Sequence, residues 1–229
     1  MTEYRNEWKY ICTEIDLELI RRRLGALMRL DPNQRGKESY HIRSLYFDDV
    51  ADNCFHANAE GLDYRKKFRI RIYNRSDTRI LLEIKYKIHG MTKKESCPLS
   101  REQCRILMNG GLPACYTDSP PPLKQLCLAI RTTCMHPVAI VEYERTAFTA
   151  PAGNVRITLD RNIAGSRYTA RFFDKALPLL PVMEQGKHIL EVKYDEVLPS
   201  YIAAALDTGR LEQTAFSKYC ACRLRLNNM

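Results

Sequence analysis

The chain has 229 residues, of which 45% are hydrophobic and 28% charged, and its net charge at pH 7 is +9. This composition excludes a disordered chain, and no apolar run reaches the roughly 18 residues that a membrane-spanning helix needs. The basic balance indicates either a polyanionic partner, such as nucleic acid, anionic lipid or a phosphate compound, or a merely basic surface. Nine cysteines without zinc-ligand spacing indicate reduced thiols in a cytosolic protein, and the first residues do not resemble a signal peptide.

The predicted elements mix strands and helices without the β-α-β rhythm of a parallel sheet. In chain order, strands are predicted from residue 5 and over 40–49, 64–73, 79–88, 138–148, 154–160 and 188–195. Helices are predicted after two capping boxes, Thr13–Asp16 and Ser100–Gln103, and over 123–135, 200–208 and 216–224. These elements indicate an antiparallel sheet with helices between its strands.

The strand over 64–73, YRKKFRIRIY, carries a cation at every second position from Arg65 to Arg71. Apolar residues fill the places between, so a strand sends the cations to one face and the apolar side chains to the other. Other strands alternate in the same way, with charged or polar positions Arg5/Glu7/Lys9, Glu83/Lys85, Arg156/Thr158/Asp160 and Glu191/Lys193. An open sheet with its polar face in water explains this pattern, and so does a closed barrel with a wet lumen. The mixture of carboxylates and cations on one face favours the lumen.

Nine motifs follow one another along the chain: EWKY, SLYFD, FRIRIY, LEIKYK, KK, EYERTAF, VRITLD, LEVKYD and FSKY. In this order they resemble the catalytic domain of the vacuolar transporter chaperone (VTC) family, within the triphosphate tunnel metalloenzyme superfamily. The resemblance runs from residue 5 to residue 222, although eukaryotic members have a lysine where this chain has Ala215. It implies a mainly antiparallel α+β fold, a closed β-barrel forming a triphosphate tunnel with helices packed outside, and a single catalytic domain over residues 1–229.

The resemblance also implies which side chains line the tunnel. The catalytic cations would be Arg69, Arg71, Lys85, Arg145 and Arg156. Triphosphate or polyphosphate would also be bound by Lys9, Lys67, Lys94, Tyr143, Ser217 and Lys218, with a solvated strand edge as the equal alternative for Lys67. A divalent metal, Mn²⁺ or Mg²⁺, would be held by Glu191, with Glu7 as a second candidate ligand. Glu83 and Asp160 are expected in salt bridges with neighbouring cations.

The activity implied by the resemblance is that of a polyphosphate polymerase, in which ATP donates its γ-phosphoryl group to a growing polyphosphate chain. A triphosphatase of the same fold, in which water attacks instead, is the alternative within the same site. A non-catalytic module that binds polyphosphate or RNA is the alternative of another class. A terminal phosphate is already ionised at neutral pH, so no catalytic dyad or triad is expected.

ATP and polyphosphate are the expected partners, and nucleic acid is not expected. RNA-binding proteins commonly present exposed aromatic side chains for base stacking, whereas the aromatics here alternate out of phase with the cations and read as core. A separately encoded membrane protein would be required if the product is exported. The expected location is the cytoplasm, including the inner face of the membrane, with no transmembrane segment in the chain itself.

Overall fold

The computed structural model describes residues 4–34, 36–114 and 118–227. Its strands are β1 (Asn6–Thr13), β2 (Arg29–Leu30), β3 (Tyr40–Asp48), β4 (Arg65–Tyr73), β5 (Ser76–Ile88), β6 (Met91–Pro98), β7 (His136–Ala150), β8 (Val155–Ser166), β9 (Leu180–Pro181) and β10 (Lys187–Tyr194). Its α-helices are α1 (Glu14–Leu27), α2 (Asn53–Ala59), α3 (Arg101–Met108), α4 (Pro121–Thr133), α5 (Ser200–Leu206) and α6 (Lys218–Asn227).

The strands form one antiparallel sheet in the order β1-β10-β8-β7-β3-β4-β5-β6, to which β2 and β9 add short pairings. The edge strands of this path meet at one antiparallel bridge between Arg5 and Thr92, where two backbone hydrogen bonds of 2.9 Å join them. We call this bridge the seam. The sheet therefore curls until its edges meet, which confirms the mainly antiparallel tunnel fold. Closure depends on the seam, because within the described ranges β1 and β6 are not joined by a ladder of several residue pairs.

The outward faces of the strands are apolar and are covered by helices. Phe68, Ile70 and Ile72 of β4 are fully buried in a cluster that includes Leu107 of α3 and Leu126 of α4. A second cluster packs α1 and α5 against outward-facing residues of β8 and β10. Full burial of one such side chain contributes about 1.5–3 kcal/mol. A register slip of one residue would place cations in this core, so packing outside the sheet holds the charged face inside.

Both predicted capping boxes are present. The Thr13 hydroxyl accepts a hydrogen bond from the backbone N–H of Asp16, whose carboxylate accepts one from the Thr13 N–H. Ser100 and Gln103 make the same reciprocal pair. Helix α4 begins at Pro121, two residues before its predicted start, because proline is tolerated in the first turn, where the backbone N–H groups have no helical partner.

Other boundaries differ from the prediction. The lysine pair Lys93 and Lys94 lies on β6, a strand that was not predicted. The short helix α2 was not predicted, since it is held by the buried carboxylate of Asp48, which accepts hydrogen bonds from the backbone N–H groups of Cys54 (2.8 Å) and Phe55 (2.9 Å). Among the described residues, no helix has the length and apolar character to cross a membrane.

Candidate active site

A cavity of about 420 Å³ lies inside the curled sheet. The predicted site residues that line it are Lys9, Lys67, Arg69, Arg71, Lys85, Lys94, Tyr143, Arg145, Arg156, Glu191, Ser217 and Lys218. The remaining predicted residue, Glu7, lies in an adjoining cavity of about 70 Å³, which shares Lys9, Lys67, Lys85 and Ser217 with the larger one. The fold therefore brings together residues that are far apart in the sequence.

A buried carboxylate balances the positive charge of the cations on the inward face of β4. The guanidinium of Arg69 donates to Glu83 of β5 at 2.8 Å and to the hydroxyl of Tyr46 at 3.0 Å. Arg71 lies 3.5 Å from the same carboxylate, and Lys94 of β6 donates to it at 2.7 Å. Burial alone would raise the pKa of Glu83, but these three cations hold it well below its ordinary value. Glu83 is thus an ionised counterion that relieves repulsion within the row.

A second buried carboxylate joins β7, β8 and α6. Arg145 donates to both oxygens of Asp160, at 2.6 and 2.7 Å, which is the bidentate geometry that guanidinium groups favour. The ammonium of Lys218 lies 2.6 Å from Asp160. Arg145 and Lys218 both lie over the ring of Tyr143, about 5 Å from its centre. Burial opposes ionisation of Asp160, yet Arg145 and Lys218 lower its pKa. The expected salt bridges of Glu83 and Asp160 are therefore present.

The two predicted metal ligands also contact lysines. Lys85 donates to both oxygens of Glu7, at 2.8 and 2.6 Å, and Lys9 lies 3.4 Å from Glu7. Glu191 contacts Lys193 and lies 3.9 Å from Lys218. Burial would raise the pKa of each carboxyl group, but the lysines keep the pKa of both below the ordinary value. Both groups are thus ionised, as ligands of Mg²⁺ or Mn²⁺ must be.

The donor set fits a metal that is held only partly by protein. Within the described ranges, no three His, Cys, Asp or Glu side chains cluster closely enough to hold an ion by themselves. Magnesium is commonly bound by one or two carboxylates, with substrate phosphates and water completing its shell. Glu191, with Glu7 nearby, can supply that share.

Lys67 is inward-facing and half-buried, so the alternative of a solvated strand edge does not describe it. Its ammonium donates to Ser217 at 2.9 Å and to the side-chain oxygen of Asn58. Burial lowers the pKa of Lys67 to about 7. Burial also lowers the pKa of Lys85, against the opposing effect of Glu7. A bound anion would raise both values again, since an opposite charge favours the protonated form.

Arg156 completes the predicted set. It donates to Asp31 at 2.9 Å and to the hydroxyl of Tyr40 at 3.3 Å. Asp31 lies just after β2, so the short pairing of β2 with β7 positions this carboxylate beside the cavity. Arg156 keeps about a quarter of its side chain exposed and can turn donors toward a ligand.

Six lining residues were not among the predicted site residues, namely Arg5, Tyr46, Thr92, Lys93, Lys193 and Tyr219. Parity had placed Arg5 and Lys193 on the charged faces of their strands, but neither was assigned to the site. Tyr219 stacks on Tyr46 with ring centres 5.0 Å apart, a contact between elements that no local pattern indicates.

The charge balance shows what the cavity can hold. Twelve lysine and arginine residues line it. Eleven of them are ion-paired with seven carboxylates, and Lys67 instead donates to Ser217 and Asn58. The seven carboxylates are Glu7, Asp31, Glu83, Glu95, Asp160, Glu191 and Asp195. The surplus of positive charge in a confined and partly desolvated space favours a compact polyanion.

Comparison with known families identifies the family of the chain. A sequence model of the VTC domain family matches residues 4–227, so the chain belongs to that family, and the recognition from its motifs is confirmed. No curated protein matches the chain in sequence.

Several solved structures resemble the fold at low sequence identity. The PH1819 protein of Pyrococcus horikoshii OT3 is 13% identical, with a TM-score of 0.48, and the match covers 99% of this chain and 100% of that one. A candidate adenylate cyclase from Bacillus halodurans is 12% identical with a TM-score of 0.49, over 90% of this chain and 87% of that one. The Mimivirus capping enzyme triphosphatase is 10% identical with a TM-score of 0.36, over 84% and 82% of the two chains.

Proposed function

We propose that this protein is a polyphosphate polymerase that transfers the γ-phosphoryl group of ATP to the end of a polyphosphate chain. The observation that carries the proposal is the ionic pairing of the carboxylates around the cavity. Glu7, Glu83, Asp160 and Glu191 each contact lysine or arginine, and each has a lowered pKa. A carboxylate of low pKa is a poor general base. Such a site favours a nucleophile that is already ionised, such as a terminal phosphate, over a water molecule.

The two lysines of lowered pKa do not change this conclusion. Lys67 and Lys85 could hold a neutral amine near pH 7 in the free protein. A bound triphosphate surrounds them with negative charge and raises both pKa values, so they are protonated when the reaction occurs. They then act as fixed cations and are unable to accept a proton from water.

The chain's own residues bind and align the reactants. Arginines at positions 69, 71, 145 and 156 offer planar, multidentate contacts to phosphate oxygens, and the lysines add point charges. Tyr143 and Ser217 add hydroxyl groups. An oxygen of the terminal phosphate forms a bond to the γ-phosphorus, while the bond from that phosphorus to the β–γ bridging oxygen breaks. The electron pair leaves with ADP, and the surrounding cations stabilise the charge that spreads over the transferred group.

Glu191, with Glu7 as the second candidate, would hold the divalent metal. When bound, Mn²⁺ or Mg²⁺ supplies charge neutralisation on the phosphate oxygens of ATP. The proposal also includes the cytoplasm as the place of action and ATP and polyphosphate as ligands. A separately encoded membrane protein would be needed for export. Residues 1–229 are proposed to act as one catalytic domain.

The test is incubation of the purified protein with γ-labelled ATP and Mn²⁺ or Mg²⁺, followed by separation of the products on a gel. We expect a ladder of labelled polyphosphate. Glu191→Gln should remove most of the ladder at low metal concentration and recover part of it at high concentration. Glu144→Gln, a change on the outward face of β7, is the matched control and should retain the ladder.

Free phosphate as the sole labelled product would make the protein a triphosphatase and overturn the proposal. Binding of ATP or polyphosphate without any product would indicate a binding module. Equal loss of the ladder at all metal concentrations in Glu191→Gln would assign Glu191 to the orientation of Lys193 and Lys218, and remove it from the metal site.

A further inference from the structure

The carboxylate of Asp48, at the end of β3, is fully buried. One of its oxygens accepts hydrogen bonds from the backbone N–H groups of Asp49 (3.0 Å) and Cys54 (2.8 Å). The other oxygen accepts from the backbone N–H of Phe55 (2.9 Å) and from the hydroxyl of Tyr219 (2.5 Å). The first three bonds hold the chain around the start of α2, whereas the fourth reaches α6 across 171 positions of the sequence. The cap of α2 is complete without this fourth bond.

The hydroxyl of Tyr219 is held on the side away from the cavity. The side chain of Tyr219 forms part of the cavity wall, but its hydroxyl donates to Asp48 and accepts from Arg223 at 3.1 Å, and neither of these two residues lines the cavity. Burial and the bond to Asp48 raise the pKa of Tyr219, so the phenol stays protonated and remains a donor. Arg223 in turn donates to both oxygens of Asp52, just before α2, at 2.8 Å. Two carboxylates thus anchor the start of α6.

The ring of Tyr219 supports two cations of the cavity. It stacks on the ring of Tyr46 with centres 5.0 Å apart, and the hydroxyl of Tyr46 accepts a hydrogen bond from Arg69 at 3.0 Å. The ammonium of Lys67 lies 5.7 Å from the centre of the Tyr219 ring. A shift of this ring would therefore displace both Arg69 and Lys67.

The start of α6 supplies two further groups to the cavity. Ser217, the last residue before the helix, and Lys218, its first residue, both line the cavity. Ser217 also accepts a hydrogen bond from Lys67 at 2.9 Å. Tyr219 follows them directly in the chain, so the bond from its hydroxyl to Asp48 fixes how far the two side chains reach into the cavity.

We infer that Asp48 is a positioning residue of the cavity, which acts through the hydroxyl of Tyr219 on the groups that hold the phosphates. The negative charge of Asp48 strengthens this hydrogen bond, because charge-assisted bonds are shorter and stronger than neutral ones. The cap on α2 and the role in the site are separable, since the cap uses backbone donors and the role in the site uses one phenol. The inference rests on the proposed function only in taking a chain of phosphates as the ligand of the cavity.

The experiment measures the affinity for inorganic tripolyphosphate by calorimetry, in the absence of added metal, together with a thermal melt. Tyr219→Phe removes the hydroxyl and leaves the ring and the three backbone bonds of Asp48. We expect the affinity to fall about tenfold, because the lost bond is to a charged group and the groups that it positions are displaced. A role confined to folding would lower the melting temperature and leave the affinity of the folded protein unchanged.

Asp48→Asn tests whether the two residues act as a unit. By itself it should weaken binding of tripolyphosphate by a similar factor and also destabilise the protein, because it weakens the cap of α2. In the Tyr219→Phe background it should change the affinity by less than about twofold, since effects within one hydrogen-bonded unit are not additive. The loss of stability through α2 should remain in that background.

Tyr86→Phe is the matched control, since the hydroxyl of Tyr86 donates to Gln125 of α4 at 2.8 Å on the outer side of the sheet. It should leave the affinity unchanged. Unchanged affinity in Tyr219→Phe, or additive losses in the double variant, would overturn the inference and leave Asp48 as a cap of α2 alone.

The same measurements separate the inference from the proposed function. If the unaltered protein binds tripolyphosphate but makes no polyphosphate, the proposed activity is wrong, and the affinities of the variants still decide the inference. Failure of the unaltered protein to bind tripolyphosphate would overturn both.

Discussion

Two buried ion clusters of similar composition lie on opposite faces of the sheet. Inside, Asp160 is held by Arg145 and Lys218. Outside, Glu142 is held by Arg43 and Arg75. Both carboxylates are almost completely buried. Burial and pairing therefore do not by themselves distinguish a functional site from a structural one.

The two clusters differ in what surrounds them. Arg43 also donates to the backbone oxygens of Phe172, at 2.9 Å, and Asp174, at 2.6 Å, so the outer cluster fastens a loop to the sheet. Arg145 and Lys218 instead face a cavity of about 420 Å³ whose cations outnumber their counterions. Space for a ligand, together with unbalanced charge, marks the inner cluster as the site.

The largest expected effect belongs to the inner cluster. Arg145→Met should lower the rate of the proposed phosphoryl transfer by about a hundredfold to a thousandfold, the usual loss when one preorganised donor to a transition state is removed. The fold should survive, because Lys218 still neutralises Asp160. Single-turnover kinetics and a thermal melt on the same sample measure both quantities. A rate within threefold of the unaltered protein would exclude Arg145 from the chemistry.

The outer cluster should respond in the opposite way. Arg43→Met breaks a buried pair, leaves Glu142 with Arg75 alone, which is more exposed than Lys218, and removes the hydrogen bonds to the loop oxygens of Phe172 and Asp174. We therefore expect a loss of about 3–5 kcal/mol in the free energy of unfolding. Denaturant titration measures it. The rate per folded molecule should stay the same, and a fall comparable to that of Arg145→Met would mean that the two faces are not separate in function.

The smallest expected effect is a pH dependence inside the cavity. Free Lys67 has a pKa of about 7, so above pH 7 it must take up a proton when a triphosphate binds. Affinity for tripolyphosphate should therefore fall as pH rises from 7.5 to 9, by up to tenfold per unit for one lysine. Calorimetry in buffers of different ionisation enthalpy counts the protons. Lys67→Arg, which stays charged, should make the slope less steep by the share of one lysine and leave the share of Lys85, and an equally steep slope in that variant would assign the titration to another group.

The sequence predicts well which side chains of a strand share a face, and predicts poorly which strands are neighbours in the sheet. Alternation along β4 indicated that Arg69 and Arg71 share a face, because period two is a local property of the chain. Motif resemblance added Lys218, whose distance in sequence from the strands hides its role. Lys93 was noted only as following a glycine turn, and Arg5 was assigned only to a strand face. The positions of Arg5 and Lys93 at the cavity depend on the seam. No local pattern in the sequence indicates that the two strands joined by the seam are neighbours.

Helix α2 also could not be predicted from the local sequence. Its backbone N–H groups are capped by Asp48, five residues before the helix begins, and the hydroxyl of Tyr219 donates to the same carboxylate at 2.5 Å. A capping signal is recognised at fixed spacing, so a cap supplied from the end of a strand is not visible in the sequence.

The pairing of β1 with β10 has a consequence for how the molecule folds. Arg5 and Asp195 are in contact although they are separated by 190 positions in the sequence. Contacts between such distant segments form slowly, since the loop between them must first be closed. The hairpin of β4 and β5 can form early and already contains Glu83, the counterion of Arg69 and Arg71, but its charged face stays exposed until the distant strands close over it. Closure of the sheet therefore also removes a cationic surface from solvent, because the cations of this hairpin outnumber the carboxylate of Glu83.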